Sequence, residues 1–319
     1  MKTRLIIYTL SFLLLTFGCA TSTNLDISRK PQSEPEFSID TLPYQTNVAL
    51  VNTVNLRAGV FPEADSSSFK GCILYLQGLA DSMLNHRPYF KALSERGYRI
   101  IAFDYIGQGG SSGTMNHSRI FDPLFSNLEI GNQAKFVWNN YAECANSKKM
   151  VIGWSTGGLA AYKLAHEEWA DAVVLIAPGI HPNKIVGEAA LRPTMLLTGE
   201  QIITKRTLTR NSFEDQNDPH VDIIKPVSPT LVPLFAANLV VSATISHSWQ
   251  IKSQVKGLVF LSGANDTYVD RESTLKTLES KAPHFVIHAY EGALHELDNE
   301  LPAVSQDLYV RTIRFFESL

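Results

Sequence analysis

Three side chains in this sequence have the types, and stand in the order, that nucleophilic acyl transfer requires. Ser155 lies in Gly153-Trp154-Ser155-Thr156-Gly157, a G-x-S-x-G pentapeptide with a strand-like apolar run before it and a helical pattern after it. Glycines two places before and two places after the serine suit a chain that turns sharply, because side chains there would strike the neighbouring strand or helix. A serine hydroxyl is a weak nucleophile and needs a general base within hydrogen-bond reach, itself oriented by an acid. Asp266 closes Ser262-Gly-Ala-Asn-Asp266 after one strand-like run, and His295 stands in Glu291-Gly-Ala-Leu-His-Glu296 after the last. Asp270 competes with Asp266, but it precedes Arg271-Glu272 at a helix start, where capping accounts for it. Of the nine histidines, His284 and His288 read as strand residues and His166 as a helix residue without chemistry to perform. The pentapeptide alone also fits an ordinary strand-to-helix turn; the three elements together are far more specific.

An acyl-transfer intermediate also needs N–H donors aimed at its oxyanion, one from the residue after the nucleophile and one from the loop after an earlier strand. Thr156 supplies the first. In Gln77-Gly78-Leu79, Leu79 is the expected second donor, since Gly78 permits the backbone bend; a plain turn is the alternative reading of that tripeptide.

Positioning these loops requires alternating strands and helices. The run Cys72-Ile-Leu-Tyr-Leu76 is apolar throughout, as in a strand buried on both faces. A helix over 84–96, a strand over 98–103, a Gly/Ser-rich loop over 107–113, a helix over 127–144, a strand over 150–154, a helix from Thr156 to about Glu168 and a strand over 172–177 follow. This rhythm implies right-handed crossovers and a mostly parallel sheet with helices on both faces. Ahead of it, 47–55 reads as an antiparallel edge strand. Between about 180 and 250 the rhythm fails amid Pro182, Pro193, Pro219, Pro226, Pro229 and Pro233. It returns with strands over 258–261 and 284–290 and a helix over 302–316. The chain therefore reads as an α/β core in two parts, 38–179 and 251–319, with a cap inserted at 180–250. Within the cap, 231–245 is almost wholly apolar, fitting either a helix packed on the core or a lid that meets acyl chains or a membrane surface.

The composition is that of an ordinary soluble protein: 319 residues, 45% hydrophobic, 18% charged, with 28 basic against 31 acidic groups. Without basic blocks it carries no electrostatic footprint for nucleic acid, so a nucleic-acid partner is not expected. Residues 1–19 read as a signal peptide, with Lys2 and Arg4 ahead of an apolar run from Leu5 to Phe17 that is too short to span a bilayer. Gly18-Cys19-Ala20 offers either an ordinary signal-peptidase site or a lipidation site at Cys19; a cysteine ending the apolar run favours the second. The segment resembles a bacterial lipoprotein signal, which implies an exported protein anchored to a cell-envelope membrane through Cys19. Residues 20–37 read as a flexible tether. Cys72 and Cys144 read as buried thiols rather than a bridge, and no Cys/His spacing resembles a zinc site.

Over nearly all of the chain beyond the tether, the sequence resembles the α/β-hydrolase superfamily, and within it the monoacylglycerol lipase and lysophospholipase group. Three stretches carry the likeness: Phe103-Asp-Tyr-Ile-Gly-Gln-Gly-Gly-Ser111, the pentapeptide around Ser155, and Tyr290-Glu-Gly-Ala-Leu-His-Glu-Leu297 with Glu300-Leu-Pro302. The resemblance implies Ser155, Asp266 and His295 as a catalytic triad, a cap over the acyl site, lipid-like ester substrates and no cofactor or metal. Two positions depart from the group's pattern: Gln77 and Trp154 stand where it has histidine, though neither position supplies an essential atom. Two rival readings are an exported aminopeptidase of the same fold, for which Glu188, Glu200, Glu214, Asp215, Asp218 and Asp222 could hold an α-amino group, and a non-catalytic lipid-binding lipoprotein.

Overall fold

The computed structural model describes residues 37–48, 51–79, 81–113, 126–183 and 233–319. The signal peptide, Cys19, the tether up to residue 36 and cap residues 184–232, with all six candidate amine-binding carboxylates, lie outside the described residues. Eight strands form one sheet: β1 (Ser38–Val48), β2 (Val51–Phe61), β3 (Gly71–Leu76), β4 (Tyr98–Phe103), β5 (Met150–Trp154), β6 (Ala172–Ile176), β7 (Lys256–Leu261) and β8 (Val286–Ala289). Their order across the sheet is β1-β2-β4-β3-β5-β6-β7-β8. The β1/β2 and β2/β4 pairs are antiparallel and every other pair is parallel.

Side-chain alternation along the strands divides the core in two. Cys72, Leu74 and Leu76 of β3 pack on one face with α2 (Ser126–Asn139), α3 (Thr156–His166), α4 (Pro233–Ser246) and α5 (Arg271–Lys281). Ile73 and Tyr75 pack on the other face with α1 (Arg87–Ser94) and α6 (Pro302–Glu317). Covering both faces explains why β3, β5 and β6 are buried at every position and why their sequences lack polar alternation. The second half of α4 packs on the core through Leu239, Ala243 and Ile245. Among the described residues no helix is long and apolar enough to cross a membrane.

Several local expectations need correction. The stretch over 47–55 is not one edge strand: it takes in the end of β1 and the start of β2, two antiparallel 11-residue strands. The helix expected over 84–96 begins as a 3-10 turn, Met83–His86, and becomes α-helical only where Pro88 occupies the first turn, a position that tolerates its missing N–H. The helix over 127–144 stops at Asn139 and ends in a separate 3-10 turn, Ala142–Cys144. That turn places Cys144 against β3, and Cys72 and Cys144 form a disulfide with Cα atoms 5.7 Å apart rather than two free thiols. Their separation of 72 residues hides the pairing, which only the sheet crossover creates.

Candidate active site

All the chemistry-bearing loops leave the carboxyl edge of the sheet, where ligands bind in open α/β folds. Ser155 sits between β5 and α3 with φ 54° and ψ −115°, a strained conformation for a residue with a Cβ. The turn is tight enough that a Cβ on Gly153 would lie 2.2 Å from the Gly157 carbonyl oxygen. One on Gly157 would lie 2.0 Å from that of Leu76. The glycine spacing is thus a packing requirement, and it presses the end of β3, which leads into Leu79, onto the first turn of α3. Thr156 opens that helix, so its N–H has no partner within it.

His295 Nε2 lies 2.7 Å from Ser155 Oγ, and His295 Nδ1 lies 2.8 Å from Asp266 Oδ2. Both His295 and Asp266 are buried. Asp266 also accepts from Ser262 Oγ at 2.5 Å and from the Tyr268 and Val269 N–H groups. Burial alone would raise its pKa, but His295 and these hydrogen bonds outweigh burial and hold the carboxyl below its ordinary value. An ionised carboxylate only accepts, so Nδ1 carries the imidazole proton and Nε2 is left with a lone pair facing the serine hydroxyl. The structure therefore brings Ser155, Asp266 and His295 together. Asp270 stays apart and caps α5, its side chain accepting from Ser273 N–H at 3.0 Å.

The two positions that depart from the group's pattern have structural work. Trp154 Nε1 donates to the His295 carbonyl at 3.0 Å, and its indole lies between the His295 and His86 rings, 5.5 and 5.6 Å away. Gly78 must lack a side chain because a Cβ would lie 2.5 Å from that indole. Gln77 Nε2 donates to the Asp81 carbonyl within its own loop and to Asp104 Oδ1 just after β4. Asp104, in the stretch that resembles the group's aspartate loop, is fully buried and gathers Arg57 Nε, Met83 N–H and Gly110 N–H. It pins the Leu79 loop to the Gly-rich loop. Glu300, from the third resembling stretch, accepts from the Leu294 and Leu301 N–H groups and braces the loop around His295.

Sequence reasoning passes over a second buried cluster beside this one. His86 Nε2 lies 2.5 Å from Asp81 Oδ2 and His86 Nδ1 lies 2.6 Å from Asp298 Oδ2, all of them buried. Asp81 stands two residues beyond Leu79 and Asp298 three beyond His295. That closeness to both site motifs is the only signal the sequence carries.

Fold and site together define an α/β-hydrolase with a Ser-His-Asp constellation. The chain belongs to the Hydrolase_4 family, described as serine aminopeptidase S33, whose pattern matches residues 67–302. The structure resembles a soluble variant of monoglyceride lipase from Saccharomyces cerevisiae, with a TM-score of 0.67 and 12% identity, covering 92% of this chain and 99% of that one. It also resembles the monoacylglycerol lipase of Paleococcus ferrophilus, with a TM-score of 0.60 and 20% identity, covering 82% and 98%. At these identities the likeness is one of fold. A curated relative, a proline iminopeptidase of Pestalotiopsis fici, is 34% identical over 114 residues, and the match spans 34% of this chain and 37% of that protein.

Proposed function

We propose that the protein is a serine hydrolase that cleaves carboxylic esters of lipid-like substrates, of monoacylglycerol or lysophospholipid type, through an acyl-enzyme on Ser155. The observation that carries this is the relay from Ser155 Oγ through His295 to Asp266, with contacts of 2.7 and 2.8 Å. His295 Nε2 takes the hydroxyl proton as Oγ attacks the ester carbonyl, and the negative charge settles on the carbonyl oxygen facing the Thr156 and Leu79 N–H groups. The intermediate collapses, His295 returns the proton to the leaving alcohol, and a water activated by His295 then hydrolyses the acyl-enzyme. Asp266 holds the imidazole in one tautomer throughout. The apolar run over 231–245 in the sequence suits a lipid-like substrate, and neither step calls for a cofactor.

The family description and the iminopeptidase relative favour a second reading, an aminopeptidase on the same site. Comparing kcat/KM for monoacylglycerols of increasing chain length with that for aminoacyl anilides separates the two. The ester reading expects turnover that rises with acyl length and vanishes in Ser155→Ala; preferential anilide cleavage with a free α-amino group contradicts it. A stoichiometric lipid complex with no turnover of either panel would favour the binding-protein reading instead.

We further propose that the protein is exported and anchored through Cys19. The Cys72–Cys144 disulfide supports an oxidising compartment, where such bonds persist. Mass spectrometry of the mature N-terminus tests the anchor: a diacylglyceryl mass on Cys19 is expected, and an unmodified terminus at Thr21 contradicts it.

A further inference from the structure

We propose that Asp81, His86, Asp298 and Glu296 form a positioning clasp that fixes the oxyanion loop against the His295 loop. The clasp rests on the reading of Ser155 as an activated nucleophile, because what it positions is that nucleophile's base and its oxyanion donor.

The geometry is that of a tie between two loops. Asp81 belongs to the segment that follows Gln77-Gly78-Leu79, and Asp298 to the segment that follows His295. His86 bridges them with one ring nitrogen on each. Asn85 Nδ2 adds a bond to Asp81 at 2.7 Å, and Asn299 Nδ2 bridges the Asn85 carbonyl at 3.1 Å and Glu296 Oε1 at 2.6 Å. Tyr75 from β3 and Tyr309 from α6 hold Asp298 through its side chain and its carbonyl. Trp154 lies against both histidines and bonds the His295 carbonyl, so a shift of His86 reaches the base directly.

Charge explains why such a cluster holds. Burial works to lower the His86 pKa, but Asp298 and Asp81 outweigh burial and raise it well above its ordinary value. The ring is an imidazolium that donates from both nitrogens and has no lone pair to offer. Glu296 is the third carboxyl: its oxygen, one of Asp81 and a His86 nitrogen all lie within 4.8 Å of one another. Burial and then Asp81 push Glu296 up to about 8, with Asp298 adding to the rise while His86 and Asn299 oppose it. Below that value Glu296 is neutral and the two remaining carboxylates face one imidazolium. Above it, a further buried negative charge faces Asp81 and Asp298, and repulsion loosens the tie between the loops.

The test is the rate of fluorophosphonate labelling of the full chain from pH 5 to 10, resolved into a maximal rate and a saturation constant. The parent profile should fall above pH 8 as Glu296 ionises. In Glu296→Gln the alkaline fall should move up by at least about one pH unit. In His86→Gln the maximal rate at pH 7 should drop at least ~10-fold while the saturation constant changes by less than about threefold. Should His86→Gln fail to fold, the Glu296→Gln profile still decides. A parent that labels but stays flat to pH 10, a Glu296→Gln that keeps the parent's alkaline fall, or a folded His86→Gln that labels at the parent rate overturns the clasp alone. A parent that never labels overturns the nucleophile reading and the clasp with it.

Discussion

Two buried histidines flank Trp154 and do opposite things. His295 meets one carboxylate and one hydroxyl, so one nitrogen is a donor and the other keeps a lone pair that can accept a proton. His86 meets two carboxylates, so both nitrogens donate and the ring stays charged. Burial is nearly the same for the two. Partner count, not depth, separates a base from a tie, because a second carboxylate removes the lone pair that proton transfer requires.

The contrast is most sharply broken on the His295 side. Ser155→Ala should lower kcat by at least ~10⁴-fold, and Asp266→Asn by a similar order because the imidazole takes the wrong tautomer. Steady-state ester hydrolysis with active-site titration checks both. On the other side, His86→Gln leaves Asp81 and Asp298 buried without their cation, and its first cost is in stability, about 3–5 kcal/mol by urea unfolding. Nitrogen-15 NMR of the parent sharpens the same point: one imidazole should remain doubly protonated at pH 8 while another shows a single Nδ1 proton.

Away from both histidines, replacing Cys72 and Cys144 together by alanine provides a control. It should cost about 2–4 kcal/mol in stability, as expected for a bond closing a long loop, with no change in the pH profile of labelling. The last effect, at Glu296, is seen only as pH changes. The folded-state pKa of that carboxyl, about 8, lies above the unfolded value of 4.5. Between these values the folded chain holds a proton that the unfolded chain has lost, so this group's contribution to stability is full below pH 4.5 and falls as pH rises to 8. Glu296→Gln should therefore match the parent near pH 4.5 and become progressively more stable than it as pH rises to 8, read as denaturation midpoints at the two pH values.

The legible part of this molecule was local in sequence. Gly153 to Gly157 encode a turn whose glycines are required by atoms a few residues away, and β3, β5 and β6 announce double-faced burial by apolar runs of five or six. Asp266 and His295 were readable because each follows a strand on its own loop. The illegible part was created by pairing across long separations. Cys72 meets Cys144 only because α2 ends early and turns back against β3. His86 lies 212 residues from Asp298, and nothing in its immediate sequence marks it as charged. Trp154 likewise looked like a departure from a pattern until its indole was seen bonding the His295 loop.

The central claim is that Ser155 is an activated nucleophile. Intact-mass and peptide-mapping analysis of the full chain after fluorophosphonate treatment at pH 7.5 tests it directly. We predict a single stoichiometric adduct on the peptide containing Ser155, absent from Ser155→Ala and strongly slowed in His295→Ala. An adduct formed equally well in Ser155→Ala would contradict the account.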